Sequence, residues 1–133
     1  MPAAPAITLH PADPDAPGVL ACLSAYATFL LGHLPEEGPN PIPLPMPDAD
    51  DYRPPRGVIL LARGQEGPLG CVALHRLEPG VGEVKRLWVM PEARGQGLAR
   101  RLMQAIEAEA RAMGLTRLLL DTHERLVPAI TLY

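Results

Sequence analysis

The residues with the clearest chemical meaning lie together in one stretch, EVKRLWVMPEARGQGLA, from Glu83 to Ala99. It reads as a strand that ends in a Gly-bearing loop, with a helix starting at once. The free amides of a helix's first turn, with the positive end of its dipole, form an anion site. Gly95 and Gly97 carry no Cβ, so backbone can come close to a phosphate. Arg94 adds a fixed cation with several donors. The chemistry on offer is therefore the binding of a phosphorylated cofactor by main chain.

Three phosphate loops compete for this stretch. A Walker loop requires Gly-Lys-Ser/Thr, and no lysine follows Gly97. A dinucleotide fingerprint half matches Gly95-Gln96-Gly97-Leu98-Ala99, but Arg100 occupies the place of its third small residue. That fingerprint also opens a parallel strand–helix–strand unit, whereas here a run of antiparallel strands is expected beforehand. The third candidate fits: Arg94-x-x-Gly97-x-Ala99 resembles the Q/R-x-x-G-x-G/A pyrophosphate motif of the GNAT acetyltransferases. KRLWVMPEARGQGLARRLM is similar to that family's strand–loop–helix unit over its whole length. ARAMGLTRLLLDT resembles the helix end and fifth strand, and AITLY the start of a later helix that carries a tyrosine. The resemblance covers about Gly57 to Tyr133; the first fifty residues match only in element order.

The resemblance implies an N-acetyltransferase that takes acetyl-CoA as co-substrate, uses no metal, and passes the acetyl group to a primary amine by direct attack on the thioester. Leu87, Trp88 and Val89 would flank the pantetheine arm at a splay between the fourth and fifth strands. An amide there, at Leu87, would polarise the thioester carbonyl as an oxyanion hole does. The amides of Arg94, Gly95, Gln96, Gly97, Leu98 and Ala99, with the Arg94 and Arg100 side chains, would hold the pyrophosphate. Glu83 stands where many members of the family place a base, and Tyr133 matches their general acid toward the departing sulfur. A lysine-like amine has a pKa near ~10.4, so a proton acceptor is required at neutral pH. Plainer roles stand beside these: Glu83 as a salt-bridge partner of Lys85 or Arg86, Trp88 as a core anchor, Tyr133 as a core tyrosine, and His123, which reads as lining the acceptor pocket, as a solvent-facing loop residue. His10, His33 and His75 carry no motif, and no metal-ligand spacing is present.

The elements that must position these residues follow from pattern. Ala6 to His10 reads as a strand that stops at Pro11. A helix is expected from an Asp15 N-cap to about Leu31, buried through Val19, Leu23, Tyr26 and Leu30 and ended by Gly32. Residues 35–55 form a Pro-rich acidic loop, which reads as solvated or as an acidic lip beside a site for cations. Strands are expected at Val58–Ala62, Leu69–Leu77 and Glu83–Met90, joined by Gly-containing turns as an antiparallel meander. Strict alternation would place Glu83, Lys85, Leu87 and Val89 on one face, with Arg86 and Trp88 on the other. A helix from Gly97 to Met113 buries Leu98, Leu102, Ile106, Ala110 and Met113 and stops at Gly114. It is followed by a strand, Thr116–Asp121, and a last helix, Pro128–Tyr133. The fold expected is one α/β (α+β) domain over 1–133, a mixed, mostly antiparallel sheet flanked by helices. Members of the family continue past the equivalent of Tyr133 with two more strands, so the domain is expected to be C-terminally incomplete.

The bulk composition agrees. With 133 residues, 47% of them hydrophobic, there is enough for one real core. A net charge of -3 argues against a nucleic-acid partner. No membrane span or signal peptide is expected, and Cys22 and Cys71 read as buried thiols of a cytoplasmic protein. The partners expected are a small-molecule or peptide amine and, as an open option, a second copy as homodimer. A reading of another class is a non-catalytic acyl-CoA-binding or regulatory module on the same fold.

Overall fold

The computed structural model describes residues 6–33, 44 and 46–120. Among the described residues, five strands form one sheet in sequential order: β1 (Thr8–Ala12), β2 (Gly57–Gly64), β3 (Gly67–Glu78), β4 (Val81–Val89) and β5 (Arg117–Leu120). The first four pair antiparallel, and β5 returns parallel to β4. That return follows a helical crossover, α2 (Leu98–Ala112), as a parallel pair requires. The expected mixed, mostly antiparallel sheet flanked by helices is the fold observed. The tyrosine helix at 128–133, His123 and Tyr133 lie outside the described residues.

Helices cover both faces, which is why β2 and β3 are continuous apolar runs rather than alternating ones. Ile59, Leu61, Cys71 and Ala73 pack under α1 (Pro17–His33) with Val19, Cys22 and Leu23. Val58, Leu60, Val72 and Leu74 pack under α2 with Leu98, Leu102 and Ile106. Burial of each Leu or Ile side chain contributes about 1.5–3 kcal/mol, so the buried face of α2 (Leu98, Leu102, Met103, Ile106 and Ala110) is enough to hold it on the sheet. At its end Leu115 donates to the Ala110 carbonyl (2.9 Å) around Gly114, whose φ of +79° closes the helix as expected.

Three local expectations are corrected. β1 does not stop at Pro11: the strand lies at the sheet edge, where a residue without an N–H is tolerated, and Pro11 pairs with Leu60. Asp15 is not the N-cap, since Pro17 is the first helical residue and the Leu20 amide bonds the Ala16 carbonyl (2.9 Å). The Asp15 carboxylate instead receives Arg53 (3.0 Å). Gly32 does not end α1, which runs on to His33; one glycine in a helix lowers stability only by about 1 kcal/mol, too little to break a packed helix.

Part of the Pro-rich acidic segment is ordered onto the core. A 3-10 turn, Ala49–Tyr52, buries Ala49 and Tyr52. Gly57 opens β2 so close to the Asp51 and Leu74 carbonyls that a Cβ would collide with both. Arg53 gathers Asp13 (2.8 Å), Asp15 (3.0 Å) and Asp50. Asp50 is thereby neutralised locally, which weakens any acidic lip built from it. The Arg53 hydrogen bond, then the Asp15 amide, holds the Asp13 carboxyl below its ordinary value of 3.8. A depressed carboxylate contributes stability above its unfolded pKa and loses it as pH falls through the folded one. Arg53→Gln is therefore expected to lower Tm at pH 7, with the gap from wild type closing below pH 3.8. A gap that persists in acid would assign Arg53 a packing role instead.

Candidate functional site

The end of β4 and the start of α2 build the site. Among the described residues, the β4–β5 ladder covers Val81–Val84 against Arg117–Leu120. Beyond Val84 the register of β4 against β3 also shifts: Ala73 faces Lys85, yet Cys71 faces Trp88. One residue is therefore extra on β4, a β-bulge, and Arg86 takes it up with a φ of 58°.

The bulge overturns the expected alternation. Glu83 sits on the α1 side, where it meets His75. Past Arg86 the faces exchange, so Leu87 and Val89 pack toward α2. Trp88 joins the α1 core. Glu83 and Trp88 therefore share a face, whereas Glu83, Leu87 and Val89 do not.

Glu83 is bonded neither to Lys85 nor to Arg86. Its Oε1 lies 2.7 Å from His75 Nε2, with both side chains largely buried at 24% and 16% exposure. The Tyr52 ring meets the His75 ring edge-on at 5.5 Å between centroids. Burial, then the Asp48 carboxylate, push the Tyr52 hydroxyl well above its ordinary value, against the opposing charge of Arg86. Tyr52 is thus a neutral wall at neutral pH. His75 went unmarked in the sequence for a definite reason. A two-residue turn pairs Glu78 with Val81 and would place Arg76 opposite Glu83, but a second register shift brings His75 there.

Trp88 stacks on Tyr26 (5.2 Å, 14°) and tilts against Phe29 (5.3 Å). Arg94 lies over Trp88 at 4.7 Å and donates through Nε to the Val89 carbonyl (3.0 Å). This fixes the arginine at the mouth of the loop with cation–π contacts, an arrangement not foreseen from sequence. Cys22 and Cys71 are free and fully buried; the hydrogen bond between them holds the Cys22 thiol below its ordinary value and, with burial, pushes Cys71 above it.

The loop itself is a short 3-10 turn, Pro91–Ala93, followed by exposed Arg94, Gly95, Gln96 and Gly97. Gly97 is the N-cap of α2 in left-handed conformation, φ 78° and ψ 12°, with no side-chain cap bond. Arg101 is the first amide to bond back, to the Gly97 carbonyl at 3.1 Å. The amides of Leu98, Ala99 and Arg100 precede it and have no acceptor within the helix. Nothing lies within 4 Å of a Cβ built on Gly95 or Gly97, so the loop is open in front. An anion fits here by chemistry: orphan amides and the positive dipole end of a 15-residue helix meet here, three residues after Arg94. Among the described residues, no group of three or more His, Cys, Asp or Glu could hold a metal, and no helix is long and apolar enough to cross a membrane.

Residues 27–133 match the model of the acetyltransferase (GNAT) family. An uncharacterized N-acetyltransferase of Schizosaccharomyces pombe is 44% identical over 84 residues, 62% of this chain and 52% of that protein. The chain spans about half the length of the curated relatives it matches. A crystal structure assigned as an acyl-CoA N-acyltransferase, from Klebsiella pneumoniae, superposes with a TM-score of 0.76 at 28% identity, covering 96% of this chain and 79% of that one. A GNAT family acetyltransferase from Elizabethkingia anophelis, solved with acetyl-CoA bound, superposes with a TM-score of 0.66 at 21% identity, covering 96% of this chain and 72% of that one. Sheet order, the open glycine start of α2 and the sequence match agree, and the chain belongs to the GNAT acetyltransferase family.

Proposed function

We propose that the protein is an acetyl-CoA-dependent N-acetyltransferase acting on a primary amine. The observation that carries the reading is the open, left-handed Gly97 N-cap of α2, set beside Arg94 at the end of a bulged β4. The pyrophosphate would rest on the amides from Gly95 to Arg100, and the pantetheine arm would run along Leu87–Val89 at the β4–β5 splay. Glu83 would accept the amine proton, directly or through water, while His75 holds its carboxylate in place. Tyr133 would protonate the departing sulfur. With bound acetyl-CoA supplying the activated thioester, the chain's own work is to orient the acyl carbonyl and to remove one proton from the amine.

Two free buried cysteines support a reducing, cytoplasmic setting, and the net charge of -3 supports an amine acceptor over nucleic acid. A thiol-release assay with acetyl-CoA and a panel of amines tests the reading, alongside thermal shifts. CoA is expected to raise Tm, with NAD or ATP at equal concentration giving no comparable rise. Binding of CoA with no thiol release from any amine would leave a binding module. A larger shift with NAD or ATP would remove the cofactor assignment itself.

A further inference from the structure

Arg86 is the least comfortable residue in the described structure. It is the only non-glycine residue among those described with a positive φ, and a long side chain seldom occupies that region without a reason. Its Nε is buried and has no hydrogen-bond partner among the described residues. Glu83, the nearby carboxylate that could have paired with it, is engaged by His75. Two residues on, the indole Nε1 of Trp88 is a second buried donor without a partner among the described residues. Trp88 lies on the α1 side. The charge of Arg86 acts on Tyr52 and Cys71, which are α1-side residues as well. The bulge has therefore brought two unmet donors, one of them cationic, to the face that carries Glu83.

We propose that Arg86 is the anchor for a carboxylate on the acceptor, so that the amine acetylated belongs to an amino acid or a similar amino-carboxylate. This rests on the acetyl-transfer reading above and names its substrate class. A guanidinium presents a rigid fork of donors that matches a carboxylate, and a half-buried one with an unpartnered Nε gains from such a partner because the desolvation of that donor is otherwise uncompensated. An amino acid carries its ammonium and carboxylate close together, as Glu83 and Arg86 are placed close together on one strand. The carboxylate would take Arg86, and the ammonium would be left toward Glu83, which accepts its proton. A plain polyamine would instead set a second cation against Arg86 and be disfavoured. The left-handed backbone belongs to the same device: strict alternation would send the Trp88 side chain to the α2 side.

The test compares matched pairs on the full chain: leucine against isopentylamine, phenylalanine against phenethylamine, and lysine against 1,5-diaminopentane. The expected result is a kcat/KM for the amino acid about 10-fold to 100-fold above that for its decarboxylated partner, as one charge-assisted pair supplies. The preference should sit in KM, collapse in Arg86→Asn, and return in part in Arg86→Lys. Asparagine tolerates positive φ, so that variant is expected to fold; its melting temperature and acetyl-CoA affinity, both near wild type, verify this. Equal or better turnover of the decarboxylated amines by the wild type overturns the proposal. So does a preference that survives Arg86→Asn, or a variant that loses acetyl-CoA affinity, which would assign Arg86 to the cofactor. Absence of turnover with every amine, with acetyl-CoA bound, would instead fail the acetyl-transfer reading and this one with it.

Discussion

Gly97→Glu is expected to abolish useful acetyl-CoA binding while leaving the protein folded. The two effects separate because of where Gly97 sits. A Cβ there meets no atom within 4 Å, so the larger side chain causes no collision. The left-handed backbone of a non-glycine residue costs about 1–2 kcal/mol. A carboxylate at the start of α2 returns about 0.3–1 kcal/mol through the helix dipole. Stability should therefore fall only slightly. Binding is affected far more, because the same carboxylate occupies the open space before the Leu98, Ala99 and Arg100 amides. Two like charges about 4 Å apart repel by about 1 kcal/mol in water and about 4 kcal/mol near a protein surface. The pyrophosphate should lose about 10-fold to 10³-fold in Kd on charge alone, with lost backbone contact in addition. Gly97→Asn, neutral and tolerant of positive φ, is the control and should retain most of the affinity. Calorimetry on both variants decides the matter: unchanged affinity in a folded Gly97→Glu protein would mean that phosphate is not held here.

Much of this site was legible in the sequence because its parts are local. Strand, loop and helix follow one another within Glu83–Ala99, and the glycines at 95 and 97 mark the turn that exposes amides. The apolar stripe of α2 is equally local, recurring every three or four residues and buried as read, with Met113 only partly so. The features that escaped depend on register, which a single strand's sequence does not encode. No glycine marks the bulge at Arg86, so strict alternation placed Trp88 on the wrong side of β4. The second shift, near Arg76, decided whether an arginine or a histidine would face Glu83. The Arg53 cluster joins residues some forty positions apart, which identifies the end of the acidic segment as a clasp on the core rather than a wholly solvated loop.

That register decides the next result. Glu83→Gln keeps the shape of the side chain and its capacity to bond His75, and removes only the basic oxygen. If Glu83 takes the proton of the attacking amine, kcat should fall by about 10²-fold to 10⁴-fold, the usual contribution of a positioned base. Acetyl-CoA affinity should stay near that of the wild type, because Glu83 lies well before the Gly97 loop along the chain and on the α1 side of the sheet. The pH profile separates this role from a structural one. A lysine-like amine loses its own proton near pH ~10.4 and then needs no base. The ratio of wild-type to variant kcat/KM should therefore be largest at neutral pH and shrink steadily toward pH 10, whereas a structural defect would lower both limbs alike. His75→Gln supplies the companion measurement: if the histidine positions the carboxylate, kcat should fall by less than in Glu83→Gln and the pH dependence should keep its shape. A Glu83→Gln protein with near-wild-type kcat at pH 7 would move the base elsewhere. Glu83 and His75 would then be left as a cross-strand pair that fixes the register of β3 against β4.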